Sequence, residues 1–257
     1  MHQLEGPRRK LNWATKHLAQ LDGEITKYRN KEPYIVVPVT HPDTGNPAFK
    51  FIDNHIPIPD ELALTACDYI HNARATLDHI FWQLIDICGN RAPDHLTFPI
   101  WIDPPSKKKL KNTFELVTSD VARAIEGVQP YSVAEKKGRE LDAFALMHRL
   151  DIVDKHQTVA VVSEGVMITF VTPTGPMAGL LEGLSDGEVF ELSASVSVPS
   201  SNFDPKPEVQ PSFGIGFETA DRQPRILPLW PINQMQSINN EIERRVFGGL
   251  SRFFEHD

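Results

Sequence analysis

The sequence predicts an α+β protein, a helical bundle packed with a mainly antiparallel β-sheet. Three observations carry this. The stretch from Pro59 to Cys88 keeps its apolar residues at helical spacing, and so do Val133–Lys155 and Ile232–Phe254. Between residues 157 and 230 the apolar period falls to two, in runs separated by Gly and Pro. Short runs joined by turn residues favour antiparallel neighbours. The chain reads as one domain over 1–257, its helical part mainly 8–30, 59–156 and 232–254, its β part mainly 34–53 and 157–230.

Taken in order, residues 8–29 form an amphipathic helix, with Leu11, Ala14, Leu18, Leu21 and Ile25 recurring on one face. Strands Tyr34–Val39 and Ala48–Ile52 pair as a hairpin around the turn-rich His41–Pro47. The helix after Pro59 starts with Asp60 and Glu61, which suit its positive end, and stops at Gly89-Asn90. Leu62, Ala66, Ala73, Leu77, Ile80, Leu84 and Ile87 share its broad apolar face. The other face carries His71, Asn72, Arg74, Asp78, His79 and Asp86 with Trp82 among them, so this side should also be covered, by a helix or another subunit.

Residues 91–115 read as a loop containing the basic run Lys107–Lys111, solvated by default and a phosphate-binding patch otherwise. A helix over Val117–Glu126 follows, and then Val133–Lys155, apolar nearly all round and hence central. Thr158–Val162 and Val166–Val171 read as a hairpin about Ser163-Glu164-Gly165, with strands over Glu188–Val198 and Phe213–Thr219 and a polar loop over Ser201–Pro211. Ile232–Phe254 closes the chain as an amphipathic helix.

Composition narrows the classes of function. Hydrophobic residues make up 40% and charged residues 23%, which is ordinary for a folded chain, and the net charge of −8 opposes indiscriminate binding to nucleic acid. Cys67 and Cys88 fall on one helix, roughly 30 Å apart at 1.5 Å per residue, so they are expected as free thiols. No apolar run is long enough for a membrane span and the first residues lack a signal-peptide pattern, so a cytoplasmic location and no membrane partner are expected. There is no P-loop, Gly-x-Gly-x-x-Gly, Gly-x-Ser-x-Gly or Cys-x-x-Cys, and no cofactor is expected.

Two constellations could carry chemistry. In His71–His79, helical angles gather His71, Arg74 and Asp78 within about 60°, with Asn72 and His79 on an adjacent strip. Arg74 and Asp78 have the spacing of a salt bridge. In His148–His156, which also contains Asp154, one strip holds His148, Asp151 and Lys155 and a second holds Arg149 and His156. Charged groups on so apolar a helix need partners, so the two polar strips are expected to face each other. A buried network that fixes helix register is as good a reading as a catalytic site.

The stretch DYIHNARATLDHIFWQL, with TFPIW, VQPYS and RLDIVDKHQ downstream, resembles a widespread bacterial family of uncharacterised proteins sharing HNxRxxLDHxxWQL and DKH motifs. That likeness implies architecture. The chain also resembles the HEPN ribonucleases, recognised by an arginine followed at a short helical interval by a histidine. Arg74 with His79 and Arg149 with His156 match. The resemblance implies a metal-independent endoribonuclease of toxin or phage-defence type, a homodimer with RNA as substrate. Arg74, His79, Arg149 and His156 would be catalytic, supported by His71, Asn72, Asp78, His148, Asp151, Asp154 and Lys155. The chemistry is coherent: histidine activates the ribose 2′-hydroxyl and arginine steadies the phosphorane charge. Two alternatives stand beside it. One is a His/carboxylate metal-dependent enzyme using His71, Asp78, His79, Asp151, Asp154 and His156. The other is a non-catalytic oligomeric binding or assembly protein.

Overall fold

The computed structural model describes residues 4–156, 159–172, 175–182, 184–190, 208–218, 224–226 and 232–254, and it is α+β. By contacts the chain divides into two compact units. One, helical, comprises Met1–Leu21, Leu64–Val159 and Ile232–Asp257; the other, largely β, comprises Asp22–Ala63 and Ala160–Pro231.

In the helical unit, α1 (Glu5–Arg29) up to Leu21, α2 (Asp60–Ile87) from Leu64 and α7 (Ile232–Glu241) bury their apolar stripes. Leu11, Ala14 and Leu18 of α1, Leu77, Ile80 and Leu84 of α2, and Met235 and Ile238 of α7 are all buried. A polar chain crosses this core: Asn239 donates to Thr15 Oγ1 at 3.2 Å, and Tyr69 donates its hydroxyl to the Met235 carbonyl. Such a chain fixes the relative rotation of the helices, because a slipped register strands its members without partners. Past α7 the helix widens over Ile242–Phe247, where Gly248 N–H reaches back to the Glu243 carbonyl, and ends through Gly248–Leu250 and a tight turn at Ser251–Phe253. Gly89, at φ 77°, ends α2. Its N–H bonds the Asp86 carbonyl and the Asn90 N–H bonds the Ile85 carbonyl, the paired closure that only a left-handed residue allows.

Three expectations are corrected in this unit. Lys107–Lys111 is not a loop: Ser106 accepts from Lys109 N–H and starts the short helix α3 (Lys107–Thr113). Beyond α4 (Ser119–Gly127) and the single turn α5 (Pro130–Val133), the stretch Val133–Lys155 is not one helix. A 3₁₀ turn spans Lys136–Leu141, and α6 (Ala143–His156) begins only where Asp142 accepts from Phe144 N–H at 2.9 Å. Nor is the stretch buried all round: Leu141 is 63% and Ile152 45% exposed, while Phe144, Met147 and Leu150 hold the core side.

Among the described residues the β unit contains two sheets. In one, β1 (Tyr34–Thr40), β2 (Pro47–Asp53) and β5 (Val189–Phe190) are antiparallel in the order β1-β2-β5. The expected hairpin is present, turned at Gly45 with φ 72°. Val36, Phe49 and Phe51 form its core, with Tyr34 stacked on Phe51 and Phe190 on Phe49. The other sheet runs β4-β3-β6-β7, from β3 (Val159–Thr172), β4 (Gly175–Glu182), β6 (Glu208–Glu218) and β7 (Pro224–Ile226). Gly165 makes no turn. It lies inside β3, opposite Glu182, and the hairpin forms further on, between β3 and β4. The loop expected over Ser201–Pro211 is strand from Glu208 onward. Residues 191–198 of the expected strand and 201–207 of the expected loop fall outside the described residues.

Candidate functional site

The segment TFPIW has no regular secondary structure, so its backbone polar groups need partners from elsewhere. The motif residues provide them. Phe98 N–H donates to Asp78 Oδ1 at 2.7 Å, and the Phe98 carbonyl accepts from Arg74 Nη2 at 2.6 Å. Arg74 Nη2 also lies 3.3 Å from Asp78 Oδ1. One helical turn of α2 thus presents an acceptor and a donor to one residue, as a neighbouring strand would. Gln129, fully buried after α4, continues the pattern. Its Oε1 accepts from Trp101 N–H at 2.9 Å, and its Nε2 donates to the Pro99 carbonyl at 3.0 Å and the Ile125 carbonyl at 3.1 Å. The clamped segment places Phe98 edge-on to Phe81, and Trp101 edge-on to Phe114. Arg74, Asp78 and Gln129 act as a clamp on residues 98–101.

The two polar strips are neighbours. Asp151 of α6 acts electrostatically on both Arg74 and Asp78, and His148 feels Arg74. Asp151 is buried and accepts from Lys155 Nζ at 2.6 Å, one turn on. Burial foremost, then the neighbouring Asp154 carboxylate, pushes the Cys67 thiol of α2 well up, so it stays protonated. Burial raises the Asp78 carboxyl, against the pull of Arg74 and the Phe98 N–H. Burial lowers Arg74, opposed by Asp78 and Asp151.

The four residues of the ribonuclease motif do not come together in this cluster. Arg74 faces inward, whereas His79 sits beside Gly6 and feels Lys10 on α1. Five residues of helix rotate a side chain by about 140°, which separates the two. Arg149 is ion-paired to the exposed Glu140, and His156 ends α6, its side chain outside the described residues. His71 is exposed, and Asn72 is buried and donates to the Asp68 carbonyl at 2.8 Å. Among the described residues no group of three or more His, Cys, Asp or Glu side chains is arranged to hold a metal. Gln129 and Cys67 were missed in the sequence. The VQPYS motif contained the first, but nothing in its spacing pointed to Pro99 and Trp101.

The cluster carries a pH signature. Burial first, then the positive charge of Arg74, pulls the His148 imidazole below its ordinary value. The unfolded chain therefore binds more protons as pH falls through about 6.5, and stability present above that value is lost below it. His79, lowered mainly by burial, acts in the same sense. Asp78, raised in the fold, acts oppositely in the carboxylate range. The urea midpoint should drop between about pH 7.5 and 5.5, and drop less in His148→Gln. An equal drop in both would assign the effect elsewhere.

Comparison with family models, curated proteins and solved structures gives no match to this chain. The described residues contain no helix long and apolar enough to cross a membrane.

Proposed function

We propose that the chain is a non-catalytic assembly protein that self-associates through the outer face of α2. The observation that carries this is a row of incompletely buried positions with alternating four-three spacing: Leu64, Asp68, His71, Ala75, Asp78 and Trp82. That spacing is the seam of a helix that packs along another helix. Leu64 is 65% and Trp82 43% exposed, large apolar groups at the two ends of a row about 27 Å long at 1.5 Å per residue. The row is self-complementary about a two-fold axis near Ala73: antiparallel pairing sets Leu64 of one copy against Trp82 of the other and His71 against Ala75. Asp68 then faces Asp78, a like-charge cost that limits the strength of association. The inward clamp leaves the Arg74 guanidinium committed to the protein's own backbone, which favours an architectural over a catalytic role. Light scattering at about 100 µM, well above a micromolar Kd, should give a dimer of the 28.9 kDa chain. Trp82→Glu and Leu64→Glu should each return it to monomer. A wild-type monomer, or a dimer indifferent to both substitutions, defeats the proposal.

A second reading, the HEPN-like ribonuclease, is favoured by α3. Its lysines make a local cationic surface on an acidic chain, and Lys108 and Lys109 line an open concavity of about 370 Å³ with Ser106, Asn112 and Thr113. Such a surface would hold RNA phosphates. On this reading the wild type cleaves labelled single-stranded RNA in EDTA, and His79→Ala and Arg149→Ala abolish cleavage. Intact RNA would dismiss it.

A further inference from the structure

We propose that Arg74, His148 and Asp151 enclose a polar niche between α2 and α6 that holds one neutral hydrogen-bonding guest, of which water is the smallest. The Arg74 and Asp151 side chains are 4% and 3% exposed, yet each is only half used. Arg74 Nη2 serves Phe98 and Asp78, while Nη1 is buried without a partner. Asp151 Oδ2 accepts from Lys155, while Oδ1 is buried without a partner. A further atom of this kind is Nδ1 of His148, one turn before Asp151 on the same strip of α6. Arg74, His148 and Asp151 act on one another electrostatically, so the three side chains share one neighbourhood. Buried polar atoms are rarely left unpaired, and three together mark a place built for a shared partner.

The chemistry of these atoms defines that partner. Arg74 Nη1 only donates and Asp151 Oδ1 only accepts, whereas a neutral imidazole nitrogen does either. The guest must therefore carry both an acceptor and a donor. The niche is also balanced in charge: Arg74 and Lys155 stand against Asp78 and Asp151, with the His148 imidazole held neutral. An anion or a cation would be desolvated there with no surplus countercharge, which excludes a phosphate or a metal ion as the occupant. A water molecule fits, accepting from Arg74 and donating to Asp151 and His148; an organic hydroxyl, with a single O–H, fits by donating to Asp151 and accepting from Arg74 and from His148 in its Nδ1–H tautomer.

The test is a crystal structure of the full chain grown without polyols and soaked in bromide. The expected result is a density peak within about 2.6–3.2 Å of all three atoms, with no anomalous signal. A spherical peak identifies water, and an extended one an organic hydroxyl retained through purification. Direct contact of Arg74 Nη1 with Asp151 Oδ1, or a bromide signal in the niche, would overturn the proposal. In solution, oxygen-17 relaxation dispersion of His148→Phe, which leaves both ion pairs intact, should count one long-lived internal water fewer than the wild type if water is the guest. An unchanged count would remove water as the occupant and, where the crystal density is spherical, the proposal with it.

Discussion

Gln129→Leu is expected to destabilise the protein by about 4 kcal/mol, although leucine matches the volume of glutamine. The substitution removes the acceptor for Trp101 N–H and the donor for the Pro99 carbonyl, both in a buried setting. Each backbone group left without a partner in the interior costs about 1–3 kcal/mol. Water cannot replace the lost bonds cheaply, because Phe98, Pro99, Ile100 and Trp101 are all buried. The Ile125 carbonyl, also bonded by the amide of Val128, adds little. Chemical denaturation read by tryptophan fluorescence checks the magnitude, since Trp101 packs against Phe114 in this clamp. A loss below about 1 kcal/mol, the worth of one ordinary hydrogen bond, would show that aromatic packing and the Arg74–Asp78 bonds to Phe98 hold the segment without Gln129.

What the sequence revealed and what it hid follow from the range of the interactions. The hairpin over residues 34–53 and the extent of α2 were legible because their determinants are local: Gly45 at the turn, Asp60 and Glu61 at the start, Gly89 at the stop. The approach of Arg74 and Asp78 to His148 and Asp151 was legible too, since charges on an apolar helix need company, and Arg74–Asp78 has salt-bridge spacing. Composition misled at Lys107–Lys111, where charge looked like loop and the signal that mattered was Ser106 as a cap. Gly165 likewise suggested a turn, but pairing with β4 on a neighbouring strand overrode that local preference. The clamp was hidden for a different reason. Its partners are backbone atoms of an irregular segment 20 to 24 residues away from Asp78 and Arg74, and no periodicity reports such a pairing. The motif spacing that suggests a ribonuclease also takes no account of helical angle, which here turns Arg74 inward and His79 toward α1.

Arg74→Met should be the most damaging single change in the motif, costing about 3–5 kcal/mol near neutral pH, the usual result of breaking a buried pair from one side. Methionine fills much of the space, so the loss is electrostatic rather than a cavity. Two groups are stranded: the Phe98 carbonyl, and the Asp78 carboxylate, whose burial already raises its pKa even with the guanidinium present. Without Arg74 the folded-state value rises further above the unfolded value of about 3.9. Between those two values the folded chain holds more protons than the unfolded one, so the variant should gain stability as pH falls through that window. The sign is opposite to that expected for the wild type from His148. Arg74→Met/Asp78→Asn tests the cause, because asparagine keeps an acceptor for Phe98 N–H and carries no charge. The double variant should be more stable than Arg74→Met alone at about pH 7.5, and its stability should change less on acidification. If Arg74→Met instead unfolds at the wild-type urea midpoint, Arg74 is not what holds residues 98–101. Loss of RNA cleavage at that unchanged midpoint would move Arg74 from the framework of the protein to its chemistry.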